Sequence, residues 1–589
     1  MRACSRFTDS ALLLAVSAAL TLPNLGAPSL WDVDEGVNAE AAREMRQTDT
    51  WVIPTFNGEL RTAKPVMLYW LQRASYAAFG VSEWSARLPS VLAGWLTVLL
   101  TYELARRMFG RATGLLAGLV LASAIEFCLL AHAATPDAPL LLFTVLTYFL
   151  FWVGHEGGSR TWWLPTAAGC GLAVLTKGPV GVALPGLVIL LYFAWNRELQ
   201  RLIDRRLAWA ALAFLLVAGP WYALVTAETR GAWAKAFFLD ENVNRALAPK
   251  EDHGGPVFYH AAALLALFAP WSVFLCGAVW YAVKWGRGGP VLSTQYSVLN
   301  TPPPNAGTKD PVAGAATDRE PVRPHRFLVC WFAAYLVFFS LVSTKLPNYV
   351  LPLYPAIAVL TARFLVRWRD NALSLPRWLM PAAVGGMLLI AAAVGLGLLV
   401  ASGAVPVLPA KARVFSGLER WAVLGLVPLA GAALMAWFLR KGERSGFVTA
   451  SGLTAVVFVG LIAAFPVRVI DDYKAPRELV RESGVGDSAR DVRAGSYDWF
   501  QPSVVFYARR EVAKLESPEK CAEFLAVPTP GYLFVPEPTW NRWVADKVKV
   551  PHRVAARHYD FYKNCDILVI TNEPEHSATA GASAPIHPR

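Results

Sequence analysis

Charged residues are scarce in this chain. Asp, Glu, Lys and Arg together make up 17% of its 589 residues, where an ordinary globular protein carries about 25%. That scarcity excludes the row of soluble domains which length alone, at roughly 150 residues per domain, would imply. Cysteine is sparse as well: the seven present form no C-x-x-C pair and show no metal-ligand spacing, which excludes a cysteine-built metal or redox centre. The G-x-x-x-x-G-K-[ST] loop is missing, so the triplet Thr176-Lys177-Gly178 is not part of a nucleotide-phosphate cradle. There is no repeat of solenoid type.

Apolar residues make up the difference. They account for 55% of the chain, the mean hydropathy is +0.38, and 23 tryptophans are available to anchor helix ends at the headgroup level. Most of this chain lives in lipid. Apolar segments compatible with membrane helices fall at 10–28, 88–105, 112–131, 138–153, 162–175, 179–195, 207–225, 257–283, 327–343, 350–366, 378–401, 421–439 and 446–466. The first could pass for a secretory signal, with Arg2 and Arg6 ahead of it. The many spans that follow favour an uncleaved membrane helix.

Thirteen spans place the termini on opposite sides. The segments on the N-terminal side hold 22 Lys and Arg, against 9 in the short segments on the other side. The positive-inside rule therefore puts the N-terminus in the cytoplasm, and the loop 29–87 and the C-terminal region outside. This alternation accounts for the net charge of +12 without nucleic acid as a partner.

The expected fold is a polytopic α-helical membrane protein of about thirteen transmembrane helices, residues 1–466, followed by an external α/β domain at 467–574. Strand-like runs at 531–535 and 567–571 and helix-like runs at 518–525 and 539–548 mark that domain. Cys521 and Cys565 would share an oxidising compartment there, either as a disulfide or as two buried thiols. The Pro-, Gly- and Thr-rich stretch 286–325 reads as a disordered cytoplasmic insert, and 575–589 as a disordered tail.

In a membrane protein, charges beyond those that decorate loops are the informative ones. The first external loop runs L-W-D-V-D-E-G-V-N-A-E-A-A-R-E-M and then W-V-I-P-T-F-N-G-E-L-R-T-A-K-P-V-M-L-Y-W-L. Asp34 and Glu35 stand at the membrane surface, either as a general base or as an N-cap and first-turn acid of a short helix over 38–47. The piece 66–79 suits a helix lying in the interface plane. Asp137 in A-T-P-D-A-P, Lys177 in L-T-K-G-P, Arg245 in D-E-N-V-N-R, and Lys345 with Tyr349 in S-T-K-L-P-N-Y recur at outer helix ends. Each alone is most often an interfacial anchor. Together they make a basic pocket able to hold the phosphate of a lipid-linked substrate.

This series resembles the bacterial branch of the protein-mannosyltransferase superfamily, which includes the lipid A aminoarabinose transferase and other glycosyltransferases of the GT-C type. The resemblance rests on D-E-G-V-N-A-E-A-A-R-E-M, W-V-I-P, N-G-E, K-P-V-M-L-Y-W-L, F-G-V-S-E-W-S-A-R-L-P-S, L-T-K-G-P, E-N-V-N-R, H-G-G-P-V-F-Y-H and K-L-P-N-Y-V-L-P-L-Y-P, in one order over residues 29–360. It implies inverting transfer of a sugar from a polyprenyl phosphate to a lipid A-type, envelope-glycan or protein acceptor. The reaction would take place at the outer face of the inner membrane, with no cofactor. By the same resemblance Asp34 is the catalytic base or an acceptor-orienting carboxylate, Asp137 a second acidic position, and Lys64, Arg245, Lys345 and Tyr349 engage the donor phosphate. Aminoarabinose transferases carry an Arg in a D-E-x-R-Y pattern where Val37 and Asn38 stand here. They also carry zinc ligands where this chain has Ala63 and Asn242. The expectation is therefore no metal site and a different sugar, with His253 structural or on the substrate side.

The rival reading is a transporter or lipid flippase. It asks for ionisable residues at midspan and broken-helix symmetry, with Glu103 and Glu126 as the candidates. A purely structural scaffold explains neither the outer-face charges nor the motif series.

Overall fold

The computed structural model describes residues 2–159, 161–203, 205–244, 254–288, 320–407 and 413–574. Every expected apolar segment falls on helix. Among the described residues eight helices are long and apolar enough to cross a membrane, or up to ten if each of two bent pairs is one span. Of the remaining expected spans, Arg2–Thr21 carries charge in its first turns, and Trp163–Lys177 and Val180–Asn196 are shorter.

Tyr354–Arg369 is the buried axis of the bundle, packed by Arg111–Ala122, Leu275–Gly286 and Val322–Leu341. Small residues let helices approach where the hydrophobic effect gives no drive between them. A Cβ on Gly181 would lie 2.5 Å from the Ala173 backbone, and one on Gly114 2.8 Å from the Tyr102 carbonyl. At the periphery Leu379–Ala401 turns Leu388, Leu389 and Leu396 outward, a face suited to lipid.

The two bent pairs are Arg111–Ala122 with Ile125–His132, bent by 62°, and Tyr259–Leu267 with Trp271–Gly286, bent by 115°. The breaks meet each other. The Ile125 N–H donates to the Ala269 carbonyl (3.2 Å) and the Trp271 indole N–H to the Ser123 hydroxyl (3.0 Å), so polar groups freed by each break are satisfied by the other. Beside them the Tyr354 hydroxyl donates to Glu126, which is buried.

The insert and the tail lie largely outside the described residues, at 289–319 and 575–589. The inner boundary expected at residue 325 is corrected to Val322, where a helix begins. Glu320 is buried and accepts from the Arg363 guanidinium (2.7 Å), so these polar residues belong to the fold.

The C-terminal region folds on a five-stranded sheet: β3 (Arg493–Ser496), β4 (Val512–Lys514), β5 (Gly531–Pro536), β6 (Arg553–Asp560) and β7 (Cys565–Thr571), after a small hairpin of β1 (Thr55–Phe56) and β2 (Glu59–Leu60) in loop one. The order is β4-β3-β5-β7-β6, parallel among β4, β3 and β5 and antiparallel from β5 through β7 to β6. Helices Ala475–Ser483 and Pro502–Ala508 cover one face, and Pro518–Ala526 the other. The central strands β5 and β7 bury nearly every residue, as a sheet covered on both faces requires. Cys521 belongs to one of the two apolar clusters and Cys565 packs against the other. Both are free thiols, which settles the alternatives against the disulfide.

Candidate active site

The loop-one helix spans Asp34–Gln47, four residues longer at its start than expected, so Asp34 and Glu35 occupy its first turn. Carboxylates are favoured there by the helix dipole. Their side chains diverge: Asp34 is exposed and Glu35 is buried.

Glu35 is a clamp. Its carboxylate accepts from Arg87 Nε (2.9 Å) and Nη2 (2.7 Å), from the Trp31 N–H (2.9 Å) and from the Ala134 N–H (2.7 Å). Arg87 spends its other hydrogens on the carbonyls of Leu25, Pro28 and Ser29. Burial alone would push the Glu35 carboxyl up; the Arg87 charge and these hydrogen bonds outweigh it and hold it below the usual carboxylate range. Arg87 stands within the S-A-R-L-P string, but nothing in local sequence marks it as the partner of a residue 52 positions away.

Through Ala134 the clamp reaches a second acid. Asn38 also donates to the Ala134 carbonyl (3.3 Å), so the first turns of the loop-one helix are latched to the segment that leads into Asp137. Asp137 opens the helix Asp137–Glu156, where it is buried. One oxygen accepts from Lys177 Nζ at 2.5 Å and the other from the Asn348 amide at 3.2 Å. Lys64 acts on the same carboxylate through its charge. Lys177 Nζ lies 5.5 Å from the centre of the Tyr349 ring, within cation–π range, and the His260 ring lies nearly parallel to that of Tyr349 with centres 6.4 Å apart. The structure thus brings together Asp137, Lys177 and Tyr349, and adds Asn348 and His260. Asn348 was in plain view beside Tyr349 in K-L-P-N-Y; a neutral amide in a loop carries no distinguishing signal.

Lys345 is placed otherwise. Its ammonium donates to the carbonyls of Phe339 (3.2 Å), Ser340 (2.6 Å) and Val342 (2.5 Å), using all three hydrogens to satisfy the open C-terminal end of Val322–Leu341. Arg245 and His253 lie outside the described residues. Asn242 donates to the Phe237 carbonyl. Among the described residues no group of three His, Cys, Asp or Glu side chains has the geometry to hold a metal ion.

A carboxylate paired with an ammonium, an amide and an aromatic face, next to a helix bearing an exposed acid, is equipped to hold a phosphate and to take a proton. Comparison with known proteins gives the same direction. The family model described as dolichyl-phosphate-mannose-protein mannosyltransferase matches residues 63–223. An undecaprenyl phosphate-alpha-4-amino-4-deoxy-L-arabinose arabinosyl transferase of Pseudomonas aeruginosa is 31% identical over 370 residues, 62% of this chain and 60% of that protein. An uncharacterized protein of Aquifex aeolicus is 31% identical over 342 residues, 58% of this chain and 69% of that one.

The chain belongs to the protein-mannosyltransferase superfamily of GT-C glycosyltransferases.

The crystal structure of ArnT from Cupriavidus metallidurans bound to undecaprenyl phosphate superposes with a TM-score of 0.76, at 22% identity, covering 99% of both chains. The chain spans about three-fifths of the length of the curated arabinosyl transferase it matches. The transporter reading is not favoured by these relatives.

Proposed function

We propose that this GT-C transferase moves a sugar from a polyprenyl-phosphate donor to a lipid A-type, envelope-glycan or protein acceptor at the outer face of the inner membrane. Its N-terminus is cytoplasmic and its C-terminal domain periplasmic. The observation that carries the reading is the Asp137–Lys177–Asn348–Tyr349 cluster, latched through Ala134 to the turn that bears Asp34.

In this reading the acceptor hydroxyl gives its proton to Asp34 while its oxygen bonds to the anomeric carbon. The bond from that carbon to the phosphate oxygen breaks on the opposite side, and its electron pair stays on the phosphate. Inversion follows from the opposed directions of attack and departure. The leaving group needs only charge neutralisation, which Lys177, Lys64 and Arg245 supply. Asp137 uses one of three Lys177 hydrogens, leaving the ammonium aimed and able to donate twice more. Glu35 and Lys345 hold the scaffold and take no part in the chemistry.

Lys177→Ala should weaken binding of undecaprenyl phosphate about 10- to 100-fold, the loss of roughly 1.5–3 kcal/mol typical of a hydrogen bond to a charged group. Titration of the protein in nanodiscs checks this, with undecaprenol, which lacks the phosphate, as the control unaffected by the substitution. Equal affinity of the native and Lys177→Ala proteins would remove the phosphate pocket. Mass spectrometry of envelope lipids and glycans from a deletion strain identifies the product.

A further inference from the structure

The main chain leading into Asp34 is held from two sides, and one of them is the α/β domain. Ser29 donates its N–H (2.9 Å) and its hydroxyl (2.6 Å) to Asp471, and its carbonyl accepts from Lys474 Nζ (2.7 Å). The same ammonium lies 4.3 Å from the centre of the Trp31 ring. The Leu30 N–H donates to the Tyr507 hydroxyl (2.9 Å) and the Asp32 N–H to the Tyr562 hydroxyl (3.0 Å). The Asp32 carboxylate accepts from the Ser503 N–H (2.8 Å) and from the Ser503 hydroxyl. Contact is close enough that a Cβ on Gly36 would stand 2.6 Å from the Ser503 nitrogen.

Residues 29, 30 and 32 therefore each give a main-chain group to a side chain from the α/β domain, while Glu35 is fixed by Arg87 of the membrane bundle. Between the two anchors only Val33 and Asp34 face outward, Val33 at 63% exposure. Such an arrangement over-determines the backbone while leaving one carboxylate accessible. A base has to meet the acceptor hydroxyl within hydrogen-bond reach, and an error of about 1 Å can cost ~10²-fold in rate. Side chains that lock the supporting backbone supply that accuracy.

We infer that the α/β domain is a positioning element of the transfer site: Ser503 and Tyr562, acting through Asp32, fix the first turn of the loop-one helix and so aim the Asp34 carboxylate. This rests on the reading of Asp34 as the base. Asp32, Ser503 and Tyr562 are positioning residues; none of them touches the reacting atoms.

The test uses the full chain in nanodiscs and in a complemented deletion strain. Asp32→Ala, Ser503→Ala and Tyr562→Phe are compared for transfer, read as the envelope product lost on deletion, for undecaprenyl phosphate affinity, and for amide exchange over residues 29–40. Each should lower transfer about tenfold and speed exchange over 29–40, with affinity unchanged within twofold. Asp32→Asn keeps an acceptor for the Ser503 N–H and a donor for its hydroxyl, and should restore transfer to within about twofold of native. Full transfer despite faster exchange overturns the inference, as does an affinity that falls in step with transfer. If Ser503→Ala does not fold, Tyr562→Phe decides, since its ring keeps the packing on Phe561, with centres 4.1 Å apart. Asp34→Asn run in parallel separates the two failures. An active Asp34→Asn removes the base assignment; an inactive one beside a fully active Asp32→Ala removes only the positioning role.

Discussion

Asp34→Asn should lower transfer by about 10²- to 10⁴-fold, the usual contribution of a positioned general base, while leaving expression, folding and undecaprenyl phosphate binding intact. The expectation of intact folding comes from exposure: the Asp34 side chain lies on the outside of its helix turn, and exchanging a carboxylate for an amide there forfeits roughly 0.3–1 kcal/mol of helix-dipole interaction. The expectation of intact donor binding comes from the separate placement of Lys177, Asn348 and Tyr349, which belong to other elements. Turnover and donor affinity should therefore separate cleanly. Product formation in membranes from the complemented deletion strain, set beside nanodisc titration, measures both. Native-like transfer by Asp34→Asn would remove the base from the mechanism.

The opposite pattern is expected of Arg87→Ala. Arg87 and Glu35 are both buried, and the guanidinium also ties the carbonyls of Leu25, Pro28 and Ser29. Breaking one partner out of a buried pair leaves an uncompensated charge and typically costs about 3–5 kcal/mol. Thermal denaturation in detergent should show a clear fall in midpoint together with poor yield, and loss of transfer should track loss of folded protein. Arg87→Lys should recover only part of this, since an ammonium reproduces neither the two-point contact with Glu35 nor the three carbonyl bonds. A folded, thermally native Arg87→Ala protein would contradict the clamp.

These two substitutions fall on strings far apart in the chain that meet in space, since Arg87 clamps the Glu35 beside Asp34. The apolar segments were readable because a helix in lipid must bury its backbone polarity along a long uncharged run, and each such run does fall on helix. The strands 531–535 and 567–571 were readable for a related reason: covered on both faces, they are continuous aliphatic and aromatic runs. Their neighbours were not. Arg493–Ser496 is four residues with an Arg and a Gly, and Arg553–Asp560 is an edge strand with an irregular register that exposes Val554 and buries Asp560. The helix breaks near residues 123 and 269 escaped because each is repaired by a partner far away in sequence.

At the site, residue type announced the acids and cations but not their assignments. Asp34 and Glu35 are adjacent and chemically alike, yet one is exposed and the other is locked to Arg87; only tertiary contact separates them. Lys345 and Lys177 likewise both stand at or just beyond helix ends. The first has its hydrogens taken by the carbonyls of its own helix terminus, while the second meets Asp137 across 40 residues. Asn348 and His260 complete the cluster without any charge to advertise them.

An experimental structure of the protein in nanodiscs with undecaprenyl phosphate would locate the donor phosphate relative to Lys177 and Asp34. The lipid phosphate is expected within hydrogen-bonding distance of Lys177 Nζ, on the same membrane face as the exposed Asp34 carboxylate. A phosphate seated at the opposite end of the bundle, near Arg323 and Arg363, or an Asp34 side chain facing away from the lipid headgroup, would contradict that expectation.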